Sequence, residues 1–121
     1  MKAEAGRIKF GQGFRFRQLK QIFPTLYTTF LQETDQMPEQ SEMLDMLLEL
    51  NMRDIRENRK PPGYNRKGRM RMLFPIGRNE MLLLGNSTSA EVVRVTERMS
   101  KLLQKAGIKH TVEWQNSDGI S

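Results

Sequence analysis

Arg69-Met-Arg-Met-Leu-Phe-Pro-Ile-Gly-Arg-Asn-Glu-Met-Leu-Leu-Leu-Gly85 is the stretch on which the fold turns. From Arg69 to Ile76 cationic and apolar side chains alternate, Gly77 to Asn79 supply turn chemistry, and Glu80 to Leu84 make a second apolar run. The pattern predicts a β-hairpin, closed by Gly85-Asn86-Ser87. Thr88-Ser-Ala-Glu91 then has the capping-box pattern, in which hydroxyl and carboxylate each satisfy an orphan amide at a helix start. Val92, Val95, Met99, Leu102, Leu103 and Ala106 line one helical face, while Arg94, Arg98, Lys101 and Lys105 lie largely away from it. Gly107 ends the helix. From Ile108 to Trp114 the alternation returns, Ile108, His110, Val112 and Trp114 against Lys109, Thr111 and Glu113, and predicts a final strand.

Upstream of the hairpin, residues 59 to 68 have no apolar periodicity and several breakers, which predicts a loop. Before it, Met43, Leu44, Met46, Leu47, Leu48, Leu50, Met52 and Ile55 predict a helix from Glu42 to about Asn58, capped by Ser41, with Glu42 and Asp45 near the positive end of its dipole. These apolar positions cover more than one narrow stripe, so the helix is expected to pack on two sides. Leu19, Ile22, Phe23, Leu26, Tyr27 and Phe30 are spaced for another helix, which Pro24 interrupts, so the helix is expected from Pro24 onward. Ile8, Phe10, Phe14 and Phe16 alternate as a glycine-interrupted strand over residues 7 to 16. The chain thus reads as a single α+β domain over residues 1 to 121: a strand region to residue 16, a helical region from 17 to 58, a basic loop from 59 to 68, and the hairpin, helix and strand from 69.

Composition narrows the chemistry. No N-terminal run has signal-peptide character and none approaches the ~20 apolar residues of a membrane helix, which predicts a soluble intracellular protein of the nucleus or cytoplasm, with no membrane partner. Cysteine is absent and histidine occurs once, at His110. Thiolate and histidine-cluster metal sites are therefore excluded, and neither metal nor cofactor is expected. The carboxylates Asp35, Glu39, Glu42, Asp45, Glu49 and Asp54 read as a solvated helix face, no serine occupies a nucleophile elbow, and Gly6, Gly11 and Gly13 match no phosphate-binding spacing. No enzyme is predicted.

Charge is unevenly placed. Residues 32 to 57 carry eight acids and two cations, whereas residues 58 to 79 carry seven cations and no acid. Such a cationic segment attracts polyanions, because each phosphate it neutralises releases condensed counterions. Arg59, Lys60, Arg66, Lys67, Arg69 and Arg71 are the expected phosphate contacts, and Tyr64 and Phe74, interleaved with them, the expected base contacts. On the acidic, methionine-rich helix, Met43, Met46 and Leu50 are candidates for binding a protein partner, because methionine adapts to many shapes.

From Met72 to Ser121 the order of residues resembles one repeat of the TATA-box-binding protein family. The hairpin from Met72 to Gly85 resembles that family's strand, turn and strand ending in glycine; Ser87-Thr-Ser-Ala-Glu91 and the helix ending Lys101-Leu-Leu-Gln-Lys-Ala-Gly107 resemble its following helix; Trp114-Gln-Asn-Ser-Asp-Gly119 resembles the strand that opens the next repeat. The resemblance implies a curved antiparallel sheet with helices on one face, a half-saddle, to which the methionine-rich helix would be an addition. It also implies a minor-groove mode of binding in which Phe74 is a wedge, sharing an exposed face with Met70, Met72, Leu82 and Leu84. The opposite assignment buries all five of these residues in the core against Val92, Val95 and Met99 and leaves Arg69 and Arg71 exposed. Pro61, Glu80 and Leu84 depart from the family pattern, the turn is longer, and one repeat stands where the family has two. A non-catalytic nucleic-acid-binding protein is expected, with DNA favoured over RNA and a role in transcription or genome handling, as a homodimer or part of a larger complex. The alternative is a protein-assembly or RNA-binding subunit that docks through the acidic helix.

Overall fold

The computed structural model describes residues 4–86 and 88–115. Four strands, β1 (Ala5–Phe10), β2 (Met70–Leu73), β3 (Glu80–Gly85) and β4 (His110–Gln115), form one sheet in the order β2-β3-β1-β4, each antiparallel to its neighbours. Three α-helices, α1 (Phe23–Glu33), α2 (Ser41–Arg56) and α3 (Ser89–Lys105), cover one face. β1 and β2 run parallel with β3 between them, and β3 and β4 run parallel with β1 between them. These are two interleaved split β-α-β units, an α+β arrangement.

Side-chain alternation decides what each face carries. Ile8 and Phe10 of β1, Met70 and Met72 of β2, and Met81 and Leu83 of β3 are buried beneath the helices, where they meet Val92, Val95, Met99 and Leu103 of α3 and Phe23, Leu26, Tyr27 and Phe30 of α1. The opposite face is open and presents Arg7, Lys9, Arg71, Leu73, Leu82 and Leu84. Gly6 is required by close approach: a Cβ there would collide with Thr96 of α3, so the helix lies directly on the strand.

The hairpin, α3 and β4 form where the sequence predicts them. Thr88 accepts a hydrogen bond from Glu91 N at 3.2 Å, and Gly107 leaves the helix with φ +76°. The capping box is only half made, since the Glu91 carboxylate turns to arginines instead. Three expectations need correction. The first strand ends at Phe10, because Gly11 to Gly13 turn the chain and Phe14 stacks back on Phe10 at 4.0 Å between ring centroids. The alternation of Phe10, Phe14 and Phe16 therefore marks one aromatic cluster, not one strand. Ser41 is the first residue of α2 and not its cap, and its hydroxyl bonds Glu42 at 2.9 Å. Finally, α2 packs on one side: only Asn51 and Ile55 are buried, and Met46 and Leu50 stand 49% and 39% exposed.

The two outer edges of the sheet differ. At β2, Tyr64 exchanges backbone hydrogen bonds with Met72 at 2.8 and 2.9 Å, and the Gln36 side chain meets both Met70 O at 3.0 Å and Met70 N at 3.4 Å. That edge is sealed. At β4 no strand lies beyond the outer edge among the described residues.

Candidate nucleic-acid interface

The segment from residue 57 to 69 is a loop held at both ends. Asn51, buried in α2, accepts from Gly63 N at 2.7 Å and donates to Gly63 O at 3.3 Å, and the Tyr27 hydroxyl donates to the same carbonyl at 3.1 Å. Burial pushes the Tyr27 phenol far above its ordinary pKa, so it stays a neutral donor. Gly63 takes φ +71°, and a Cβ there would strike Met72 O, so only glycine fits between α2 and β2. At the other end Gln36 accepts from Arg69 N at 3.0 Å, and Asn86 donates to Gly68 O at 3.2 Å. Between these anchors, Asn65 to Gly68 are exposed. The loop tip is thus displayed from a fixed base.

The six cations expected to meet phosphate separate into two groups. Arg59 is ion-paired with Asp54 and Glu57, both at 2.9 Å, and those hydrogen bonds raise its pKa further. Arg69 bonds Glu91 at 2.7 Å. The Glu91 side chain is only 8% exposed, its second oxygen has no partner, and Arg94, itself paired with Glu33, lies 3.7 Å away. Arg59 and Arg69 are therefore already paired with carboxylates of the chain, though both remain about half exposed (53% and 52%). Lys60, Arg66, Lys67 and Arg71 have no acidic partner among the described residues; Arg66 touches only the Met43 sulfur, at 3.6 Å. The basic segment keeps part of its charge for an outside anion.

The expected base contacts are corrected. Tyr64 is 9% exposed, with its ring against Tyr27 and Phe30, and Phe74 is 4% exposed between Phe16 and Phe23. Register explains the outcome. Met72 lies opposite Leu83, and opposed residues share a face, so Met70, Met72 and Phe74 go into the core with Met81 and Leu83. Leu73 lies opposite Leu82, and Arg71 opposite Leu84, and these four reach the open face. There the leucines form an apolar strip bordered by Arg71 on one side and Arg7 on the other. Arg7 is tied to Glu80 at 2.6 Å and Gln115 at 2.7 Å, and Lys9 to Glu113 at 3.4 Å. Sequence reasoning missed Arg7 and Lys9, whose alternation with Ile8 and Phe10 carried the signal.

A second pair escaped it too. Ser100 of α3 lies 2.7 Å from His110 Nε2, and His110 Nδ1 lies 2.9 Å from Ile108 O. Since a carbonyl can only accept, Nδ1 carries the proton and the serine hydroxyl donates to Nε2. This is the first half of a nucleophile-and-base arrangement. Ser100 sits in mid-helix, however, where backbone amides are committed to the helix, so none converges where an oxyanion would form. The pair fastens α3 to β4. No group of metal-ligating side chains gathers among the described residues, and none of their helices is long and apolar enough to cross a membrane.

Compared with protein-family models, with curated proteins and with solved structures, the chain matches none.

Proposed function

We propose that the protein binds nucleic acid without catalysing a reaction, through the loop tip Arg66-Lys67 and the adjoining open sheet face at Arg71. The observation that carries this reading is the display of these unpaired cations from a base fixed by Asn51, Tyr27 and Gln36. An anchored loop loses little freedom on binding, and unpaired cations can neutralise phosphates, releasing their counterions, without first giving up a carboxylate. The apolar strip of Leu73, Leu82 and Leu84 gives bases or sugars a surface to pack on, and leucine is among the side chains that wedge base steps. DNA is the favoured ligand, engaged along the sheet as the resemblance to a TATA-box-binding repeat implies, with leucines in place of phenylalanines.

The test is a titration of the whole chain with duplex DNA, single-stranded DNA and RNA between low and moderate salt. Binding whose logarithm falls linearly with log salt, with a slope of roughly −2 to −4 for three or four phosphate contacts, supports the reading. Absence of binding to all three at low salt overturns it. One observation favours a second reading, docking of α2 on a protein: Met46 and Leu50 are exposed side by side, at i and i+4, among Glu42, Asp45 and Glu49. Replacing Met46 and Leu50 by glutamine would abolish partner capture and leave nucleic-acid affinity unchanged.

A further inference from the structure

Along a strand, residues whose amide and carbonyl face one neighbour alternate with residues that face the other. Gly11 N donates to Lys109 O at 3.1 Å, and two residues further along in each direction Lys9 lies opposite Thr111 and Arg7 opposite Glu113. Thr111, Glu113 and Gln115 therefore turn their backbone groups toward β1. His110, Val112 and Trp114 turn theirs outward. On β2 the equivalent outward residues, Met70 and Met72, are both satisfied by Gln36 and Tyr64. On β4 the outward groups face no described strand. Of the devices that usually protect an edge, proline, lysine and a bulge are absent from His110–Gln115, and its one carboxylate, Glu113, is paired to Lys9 of β1; beside it the half-buried Val112 and Trp114 border a groove with Glu97, Lys101 and Gln104 of α3.

We propose that β4 pairs with β4 of a second copy of the chain, antiparallel, about a two-fold axis through Val112, so that two four-stranded sheets become one of eight strands. The edge is self-complementary in that register. Val112 meets Val112, His110 meets Trp114, and Thr111 meets Glu113, so each outward amide faces an outward carbonyl, giving about six backbone hydrogen bonds. No like charges stand directly opposite each other. A slip of one residue would set outward groups against inward ones. A slip of two one way would centre the axis on Glu113 and bring two carboxylates face to face; the other way it would centre on Thr111 and leave about four backbone hydrogen bonds, because Ile108 N already donates to Leu103 O and Ile108 O accepts from His110. The axis runs perpendicular to the sheet, so both open faces lie on the same side. An isologous contact of this kind closes on itself and leaves no further edge at β4. The inference is independent of the nucleic-acid reading.

The chain has no cysteine, so Val112→Cys supplies a single thiol per copy. Hydrogen-bonded antiparallel pairs have Cα atoms about 5.5 Å apart, inside the range of ~4.4–6.8 Å that a disulfide spans. Thr111→Glu supplies a second test: within the chain the new carboxylate lies beside Lys9, which suits folding, but across the axis it meets Glu113 twice. Light scattering of the whole chain over a concentration series should show a dimer, and Thr111→Glu should weaken it by about tenfold with the unfolding temperature maintained. Under mild oxidation Val112→Cys should cross-link, and Asp45→Cys, on α2, should not. A monomer at every concentration overturns the proposal, as does a dimer indifferent to Thr111→Glu or a Val112→Cys chain that cross-links no better than Asp45→Cys.

Discussion

Arg59 and Arg69 begin and end the same basic loop that carries Arg66 and Lys67, yet the two pairs are used differently. The outer two lie beside carboxylates of α2 and α3; the inner two make no ion pair with a described acid. Equal charge density in the sequence thus conceals a division between cations that hold the fold and cations left for a ligand. Carboxylates from two places divide them, the end of α2 for Arg59 and Glu91 of α3 for Arg69. Asp54 and Glu57 close the end of α2 on Arg59, whereas Glu42 and Asp45, at the other end of that helix, make no ion pair with Arg66 or Lys67.

Substitutions can break this comparison at several strengths. Phe74→Ala should have the largest effect, a loss of about 3–5 kcal/mol in denaturant unfolding, because it empties a core site between Phe16 and Phe23. An open-face role for Phe74 would instead leave stability nearly intact. Asn51→Ala comes next, at roughly 2–3 kcal/mol, because it strands the amide of Gly63 in a buried setting; with the loop's base released, amide exchange should accelerate from Gly63 to Lys67. Arg69→Ala should cost about 1–2 kcal/mol, since it leaves Glu91 buried with only Arg94 nearby. Arg59→Ala, at an ion pair whose arginine is about half exposed, should change the melting temperature little. A fall as large as that of Arg69→Ala would remove the distinction between the two anchors.

Much of the fold is legible in the sequence, for physical reasons. The hairpin, α3 and β4 have strong periodicities, local stop signals and few competing interpretations, and the structure has them within a residue or two, except that β2 ends at Leu73, three residues before the expected Ile76. Which hairpin face is buried depends on register, and register depends on how the six residues from Phe74 to Asn79 turn, which alternation alone does not determine. The same alternation is compatible with Met72 beside Leu82 or beside Leu83; the structure has Leu83. Charge partners were less legible. Arg69 and Glu91 are 22 positions apart and meet only because the start of β2 pairs with the end of β3, just before α3 begins. Gln36, in a polar stretch without periodicity, gave no sign that it seals an edge strand 34 positions away. The aromatic residues of the basic segment drew attention as base contacts because cations flank them, but a ring between cations is also what a strand with one buried face looks like.

The central claim is that the unpaired cations, and not the basic segment as a whole, meet the nucleic acid. It is tested most directly by comparing Arg66→Ala/Lys67→Ala/Arg71→Ala with Arg59→Ala in the same salt-dependent titration of duplex DNA. The triple variant should keep the wild-type melting temperature, lose at least about tenfold in affinity near 0.1 M salt, and have a salt slope shallower by roughly 2.7, while Arg59→Ala keeps the wild-type slope. Equal losses in the two variants, or a triple variant that binds as the wild type does, would contradict the account.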